Sequence, residues 1–302
     1  EDCVITHGCL DAIRSAIEII TEEGDAVAIS SPCFSGLLEL LGVMKRRVVE
    51  IPSVQEGIDL DQLQKQMHLG SIKAGLFCTS HMNPQGTSMT PLQKQRLVEL
   101  ATHYKIPIIE DDVYLELGYK KVLPLPAKHW DTEGYILWCG SISKTIAAGY
   151  RLGWCLPGRY LQAYLQQRLF ANQGITSPLQ FAIADFIQRG DYLNHLKKIR
   201  LHLDQQTLQF TTYLQKNLPL NSKISQPAGG FVLWIEVDNL NTFRLRKLAV
   251  EKQLDVRIGE SFSTLGLYKH CFRLNIGFKI NASEIELKLK QLITLVNICS
   301  EE

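Results

Sequence analysis

Five short apolar runs constrain this chain more than any other feature: AVAIS (26–30), RVVEI (47–51), AGLFCTS (74–80), IPIIEDD (106–112) and YILWCGSIS (135–143). They lack the polar alternation of a sheet with one wet face. Such runs suit parallel strands buried on both faces. Between them lie helical patterns, LDAIRSAIEII, FSGLLELLGVM, LDQLQKQM and PLQKQRLVELATHY. The last follows Thr90 with Pro91, a capping hydroxyl and then a proline at the first helical position. Alternation of this kind predicts an α/β chain on the doubly wound plan.

From about residue 158 the pattern changes. YLQAYLQQRLF, SPLQFAIADFIQR and the long DYLNHLKKIRLHLDQQTLQFTTYLQKNL read as helices, and the long one could bridge two domains. SKISQPAGGFVLWIEV, a helix at 241–253, VRIGE, CFRLNIGF and a last helix at 281–299 then read as a smaller α+β unit. With 302 residues and 45% hydrophobic content, a large core is within reach. The formal net charge of +1 gives no reason to expect a polyanion on the chain itself. Eight cysteines at 3, 9, 33, 78, 139, 155, 271 and 299 form no CxxC and sit mostly in apolar runs, which reads as buried thiols in a reducing compartment. No run reaches membrane-spanning length and no signal peptide opens the chain, so a cytoplasmic protein is expected. The opening EDCVITHGCLDAIRSAIEII begins inside a strand-turn-helix unit, which suggests a piece of something longer.

In open α/β sheets, ligands bind at the carboxyl ends of strands. HGC at 7–9 opens a helix there, and its free N–H groups (Gly8, Cys9) suit a phosphate. SPCF presents Phe34, and HMNPQG presents His81 and Asn83. EDDVY presents Asp111, Asp112 and Tyr114; after YILWCG come Ser141, Ser143 and Lys144, with Arg151 beyond. One ligand would use them all: an aromatic ring with a phosphate arm, a pyridine nitrogen, a phenolic oxygen and an aldehyde. A carboxylate keeps the ring nitrogen protonated, phenol and amide serve the ring oxygen, and hydroxyls with an arginine serve the phosphate. A flat apolar side chain covers the ring. A lysine whose ammonium is disfavoured by burial and nearby positive charge condenses with the aldehyde. These complements describe pyridoxal 5′-phosphate, PLP.

NPQG, D-D-V-Y, S-I-S-K, the arginine after the lysine, P-A-G-G-F and F-R-L-N-I-G occur here in the order found in class I aminotransferases of PLP fold type I. The chain resembles that family over nearly its whole length. The wording of GVMKRRVVEIPSVQEGIDLDQLQ, IPIIEDDVYLELGY and GSISKTIAAGYRLGW is most similar to the aminotransferase-like effector domains of the MocR branch of GntR-type transcription regulators. The resemblance implies a large PLP-binding unit (1–185) and a long connecting helix with a small C-terminal unit (186–302). It also implies an upstream DNA-binding domain and N-terminal arm, and a homodimer. It implies that Lys144 forms an internal aldimine, then an external aldimine with an amino compound, and moves the proton. Asp111 would pair with the ring nitrogen. Tyr114 and Asn83 would bond the ring oxygen. Ser141, Ser143 and Arg151, with the amides of Gly8 and Cys9, would hold the phosphate, and Phe34 would stack on the ring. Arg273 in CFRLNIG would clamp a substrate carboxylate, with Asn83 beside it.

Plainer readings stand beside these. A lysine after an apolar strand is often a snorkelling surface residue, Phe34 could be plain core, and Arg273 a surface-strand arginine. The EDD triplet could hold Mg²⁺, but no GxxxxGK[ST] loop accompanies it, and Asp112 reads better as a structural acid. His81 is as readily a satisfied core histidine as a cofactor neighbour. KRR at 45–47 and KKIR at 197–200 read as solvated faces, and no HExxH or Cys/His grouping suggests zinc. Two functions remain open: a regulator whose geometry responds to an amino compound, or a free-standing aminotransferase acting on an amino acid and a 2-oxo acid.

Overall fold

The computed structural model describes residues 2–171, 174–278 and 283–300. The first part runs β1 (Val4–Thr6), α1 (Cys9–Ile20), β2 (Ala26–Ser31), α2 (Ser35–Val43), β3 (Arg47–Val54), β4 (Gly57–Ile58), α3 (Leu60–His68), β5 (Ala74–Phe77), α4 (Pro91–Tyr104), β6 (Ile108–Asp111), β7 (Ile136–Ser141) and β8 (Gly153–Leu156). Helices α5 (Leu161–Ala171), α6 (Ser177–Gln188) and α7 (Asp191–Asn217) follow. Then come β9 (Lys223–Ile224), β10 (Val232–Glu236), α8 (Thr242–Glu251), β11 (Arg257–Ile258), β12 (Cys271–Asn275) and α9 (Ser283–Ser300).

The larger sheet has the order β1-β8-β7-β6-β5-β2-β3-β4. Its centre, β3 to β7, is parallel, and the edges are antiparallel. Strands β2, β5 and β6 are buried along their whole length, which is why their sequences do not alternate. Successive residues nevertheless divide between two cores. Ala26, Ala28, Ile108 and Ile136 face Leu63 of α3 and Leu97 of α4. Val27, Ile29, Ile109 and Leu137 face Ile13 of α1, Leu37 of α2 and Tyr164 of α5. The strand order turns back between β2 and β5, the switch point at which such sheets open a crevice.

The smaller sheet, β11-β12-β10-β9, is antiparallel. It shares a core with α8, α9 and the second half of α7, through Phe210, Leu214, Leu233, Phe272 and Val296. Earlier on α7, Leu203 packs with Tyr114 and Leu117 instead, so this 27-residue helix reaches both parts. Thr90 caps α4, its side chain accepting from the Gln93 N–H at 3.3 Å, with Pro91 behind it. Three elements differ from the sequence reading. RVVEI, read as a strand buried on both faces, lies in β3, where only Ile51 is buried. GWCL, read only as an apolar flank of Arg151, is strand β8, returning antiparallel beside β7. In AGLFCTS the ladder stops at Phe77, and Cys78 just beyond it lines the crevice. The last helix was expected from 281; residues 281 and 282 lie outside the described ones.

Candidate active site

The carboxyl ends of β2, β5, β6 and β7 and the first turn of α1 open onto one pocket. Cys9, Phe34, Asn83, Asp111, Tyr114, Ser141, Ser143, Lys144 and Arg151 line it, nine of the eleven residues to which the resemblance assigns a site role. The other two border it. Gly8 precedes α1 at φ 89°, a conformation that glycine adopts without strain. A Cβ there would come within 2.9 Å of Arg151 Nη2. That guanidinium donates to the His7 carbonyl at 3.1 Å. No side chain caps α1, so its first amides, Arg151 and the Ser141 hydroxyl form a donor cradle for an anion. Arg273, on β12, donates from Nη1 to Asn83 Oδ1 at 3.2 Å. Its Nε is buried with no partner among the described residues, an open place for an acceptor.

Asp111 ends β6 and is 7% exposed. Burial pushes its carboxyl up to about 6, while the Cys9 thiol donates to Oδ1 at 3.4 Å. A buried carboxylate so disfavoured is suited to a cationic partner. The pleat separates it from its neighbours. Asp112 accepts from Trp138 Nε1 at 3.0 Å. Glu110 accepts from the backbone N–H groups of Ala127 at 2.6 Å and Lys128 at 2.9 Å. Lys94, 1% exposed, reaches this far side of the sheet and donates to Ser80 Oγ and the Leu125 carbonyl, both at 2.7 Å. The acidic triplet is thus divided between two faces and does not converge on one ion.

Lys144 sits in the turn after β7. Its Nζ lies 5.8 Å from the ring centres of both Tyr114 and Phe231, which meet edge to face at 5.3 Å. Burial lowers the lysine pKa, Arg273 and Arg151 add to the effect, and Asp111 opposes it. The free amine, the nucleophilic form, is favoured accordingly. Burial also holds the Tyr114 phenol above its ordinary value, so it stays a neutral donor. His81 does not line the pocket. Its ring packs against Gly229 and Gly118, its Nδ1 is 3.3 Å from Ser88 Oγ, and burial pulls it down to about 4, so it is neutral near pH 7. Phe231 was within the quoted PAGGF, but its place over the lysine had no sequence signal. Cys33 and Cys78 in the pocket wall had none either.

A profile of the class I and II aminotransferases matches residues 1–289. The chain belongs to that family. The uncharacterized HTH-type transcriptional regulator YdcR of Escherichia coli is 33% identical over 298 residues, 98% of this chain and 64% of the regulator. YjiR of the same organism is 32% identical over 294 residues, covering 97% and 62%. This aminotransferase-family chain therefore spans a little under two thirds of those regulators. Aromatic-amino-acid aminotransferase 1 of Thermococcus litoralis is 26% identical over 287 residues, 92% of this chain and 68% of the enzyme. Among solved structures, α-aminoadipate aminotransferase LysN of Thermus thermophilus, complexed with N-(5′-phosphopyridoxyl)-L-leucine, superposes with a TM-score of 0.91. It is 21% identical, over 99% of this chain and 77% of the other, and the likeness gives the fold as PLP fold type I. The cofactor of the family is pyridoxal 5′-phosphate. The pocket fits it: a buried acid for the ring nitrogen, a donor cradle for the phosphate and a partly desolvated lysine between them.

Proposed function

We propose that this chain is the PLP-binding, aminotransferase-like effector domain of a GntR/MocR-type transcription regulator, cytoplasmic and dimeric, responding to a small amino compound. The observation that carries the binding step is the convergence of Lys144, Asp111 and the α1–Arg151 cradle on one pocket. The regulator reading rests on the higher identity to YdcR and YjiR than to the T. litoralis enzyme. When bound, the cofactor supplies an aldehyde for amines and a ring that takes up electron density. The chain supplies the rest. Lys144 would supply the amine that meets the aldehyde and a base able to move a proton. Asp111 holds a proton on the ring nitrogen, Tyr114 and Asn83 donate toward the ring oxygen, and Phe34 covers a ring face. Ser141, Ser143, Arg151 and the amides of Gly8 and Cys9 hold the phosphate. Arg273 receives the carboxylate of an amino acid. DNA contact belongs to another part of the full-length protein.

The same residues serve a free-standing aminotransferase, and the set is complete enough to keep that second reading alive. The test has two parts. The purified chain mixed with PLP should gain a yellow colour that borohydride fixes on Lys144, and Lys144→Ala should not; a mutant that keeps the colour would overturn the assignment. The full-length protein should show an operator footprint that changes with an amino compound. Rapid sustained turnover without sequence-specific DNA binding would instead make it an enzyme.

A further inference from the structure

Lys144 stands in a segment, residues 142–147, that is neither helix nor strand. Its own turn offers Ile146 N–H to the Ile142 carbonyl at 2.8 Å, and long contacts of 3.5 Å from Thr145 Oγ1 to the same carbonyl and 3.4 Å from Ser143 N–H to Ser141 Oγ. The next residue, Thr145, is gripped from elsewhere. His195 of α7 donates from Nε2 to its carbonyl at 2.6 Å. The hydroxyl of Tyr192, one turn earlier on the same helix face, lies 3.1 Å from Thr145 Oγ1. That hydroxyl donates to Glu116 Oε2 at 2.6 Å, and Arg200 Nε donates to the Glu116 carbonyl at 2.6 Å. Glu116 is two residues beyond Tyr114. One face of α7 therefore holds both the turn that carries Lys144 and the turn that carries Tyr114.

We propose that His195 and Tyr192 are positioning residues that fix the reach of Lys144 through Thr145 and Glu116. The inference rests on the assignment of Lys144 above and adds to it a role for α7. A lysine on an irregular turn swings with its backbone. A carbonyl one residue away, bonded at 2.6 Å to a helix that packs against the small sheet and against Tyr114 and Leu117, cannot move without breaking that bond. Placement errors near 1 Å cost reactive geometry dearly, so the anchoring should show in how fast the lysine captures an aldehyde.

The experiment uses the cofactor-free chain and two probes, PLP and pyridoxal, the latter lacking the phosphate that the α1 cradle would hold. Capture is quenched with borohydride and the adduct on Lys144 is quantified by mass spectrometry. His195→Ala should slow capture of both probes by about tenfold to a hundredfold. It should also shift the pH midpoint of the visible absorbance, which a merely structural role would leave alone. His195→Gln, whose amide N–H can reach the same carbonyl, should recover most of the loss. Tyr192→Phe should slow capture to a lesser degree. Should alanine at 195 fail to fold, His195→Asn, with an amide too short to reach, takes its place. Parental rates and an unmoved midpoint in folded His195 and Tyr192 variants would overturn the inference and leave Lys144 standing. A Lys144→Ala chain that still forms the reducible chromophore would bring down the lysine assignment first.

Discussion

Asp111 is the residue whose charge should be most legible in solution. Burial raises its pKa from the ordinary 3.8 to about 6, so the folded chain holds this proton more tightly than the unfolded one. The sign follows: its contribution to stability is fully present below pH 3.8 and is lost as pH rises through about 6. The size is on the order of 3 kcal/mol. Asp111→Asn is neutral throughout and should not show the loss. Urea unfolding of both proteins without PLP, from pH 4 to 7.5, should show the parent falling relative to the variant by that amount. His81 and Glu110 also titrate abnormally, but both are present in each protein and cancel in the difference. With PLP at pH 7.5 the order should reverse, since a cation on the ring nitrogen turns a disfavoured carboxylate into a paired one. A difference that stays flat with pH would mean that this carboxyl is not the buried acid of the site.

At the scale of elements, the segment before β10 shows how the site is assembled. Gly229 pairs with Gly118 across an isolated antiparallel bridge, Tyr119 N–H donates to the Ala228 carbonyl at 2.8 Å, and Gly230 N–H donates to the Leu117 carbonyl at 3.1 Å. These bonds bring Phe231 over Lys144. They need Gly229: a Cβ there would fall 2.4 Å from His81 Cε1. Gly229→Ala should cost about 1–3 kcal/mol by overpacking and weaken PLP retention. Thermal unfolding in a cycle with His81→Ala should show part of the cost relieved, and additive losses would refute the clash. A second element-scale test concerns Glu50 of β3. Its carboxylate accepts from Ser263 Oγ at 2.9 Å, Thr264 Oγ1 at 2.8 Å, the Thr264 N–H and Ser31 Oγ. This ties the loop ahead of β12 to the large sheet, and Glu50→Gln gives up its charge-assisted bonds. Hydrogen exchange at residues 263–268 should accelerate, and unchanged protection would show the tie to be idle. Much of this architecture was legible beforehand because the central strands are buried on both faces and write apolar runs into the sequence. Four residues of β8 enclosed by Arg151 and Pro157, and the two-residue strands β4, β9 and β11, carry no local pattern, since pairing alone defines them. That the strand-end residues Asp111, Ser141 and Lys144 meet in one pocket could likewise be read from the sequence. The grip of α7 on Thr145 could not, because His195 lies 50 residues away on a helix that looks merely amphipathic.

For the whole molecule, the decisive residue is Arg273, because it joins the two sheets at the pocket. It comes from β12, yet its guanidinium meets Asn83 beyond β5 at 3.2 Å and lies 5.6 Å from the Phe262 ring. Burial lowers its pKa, so an anionic partner that completes its bonds is favoured. A carboxylate arriving there would compete for the bond to Asn83 and so act on the relation between the sheets. Ligand occupancy would then bias how the two sheets sit at the pocket, since a ligand shifts an equilibrium only as far as it binds the two states differently. The chain itself carries a net charge of +1 and should not bind DNA specifically when isolated. Arg273→Ala should therefore weaken the spectral response of the PLP-loaded chain to amino acids by about 30- to 1,000-fold, as expected on losing one partner of a buried charge pair worth roughly 2–4 kcal/mol. Its response to the corresponding decarboxylated amines should change little. In the full-length protein the same substitution should blunt the amino-acid-dependent change in the operator footprint while leaving the basal footprint in place. Titrations with an amino acid and its decarboxylated amine, read by absorbance and by footprint, check both halves. Equal weakening toward both compounds would show that Arg273 serves the architecture of the pocket and not the carboxylate. A normal footprint response despite weakened amino-acid binding would separate the site from the regulation proposed for it.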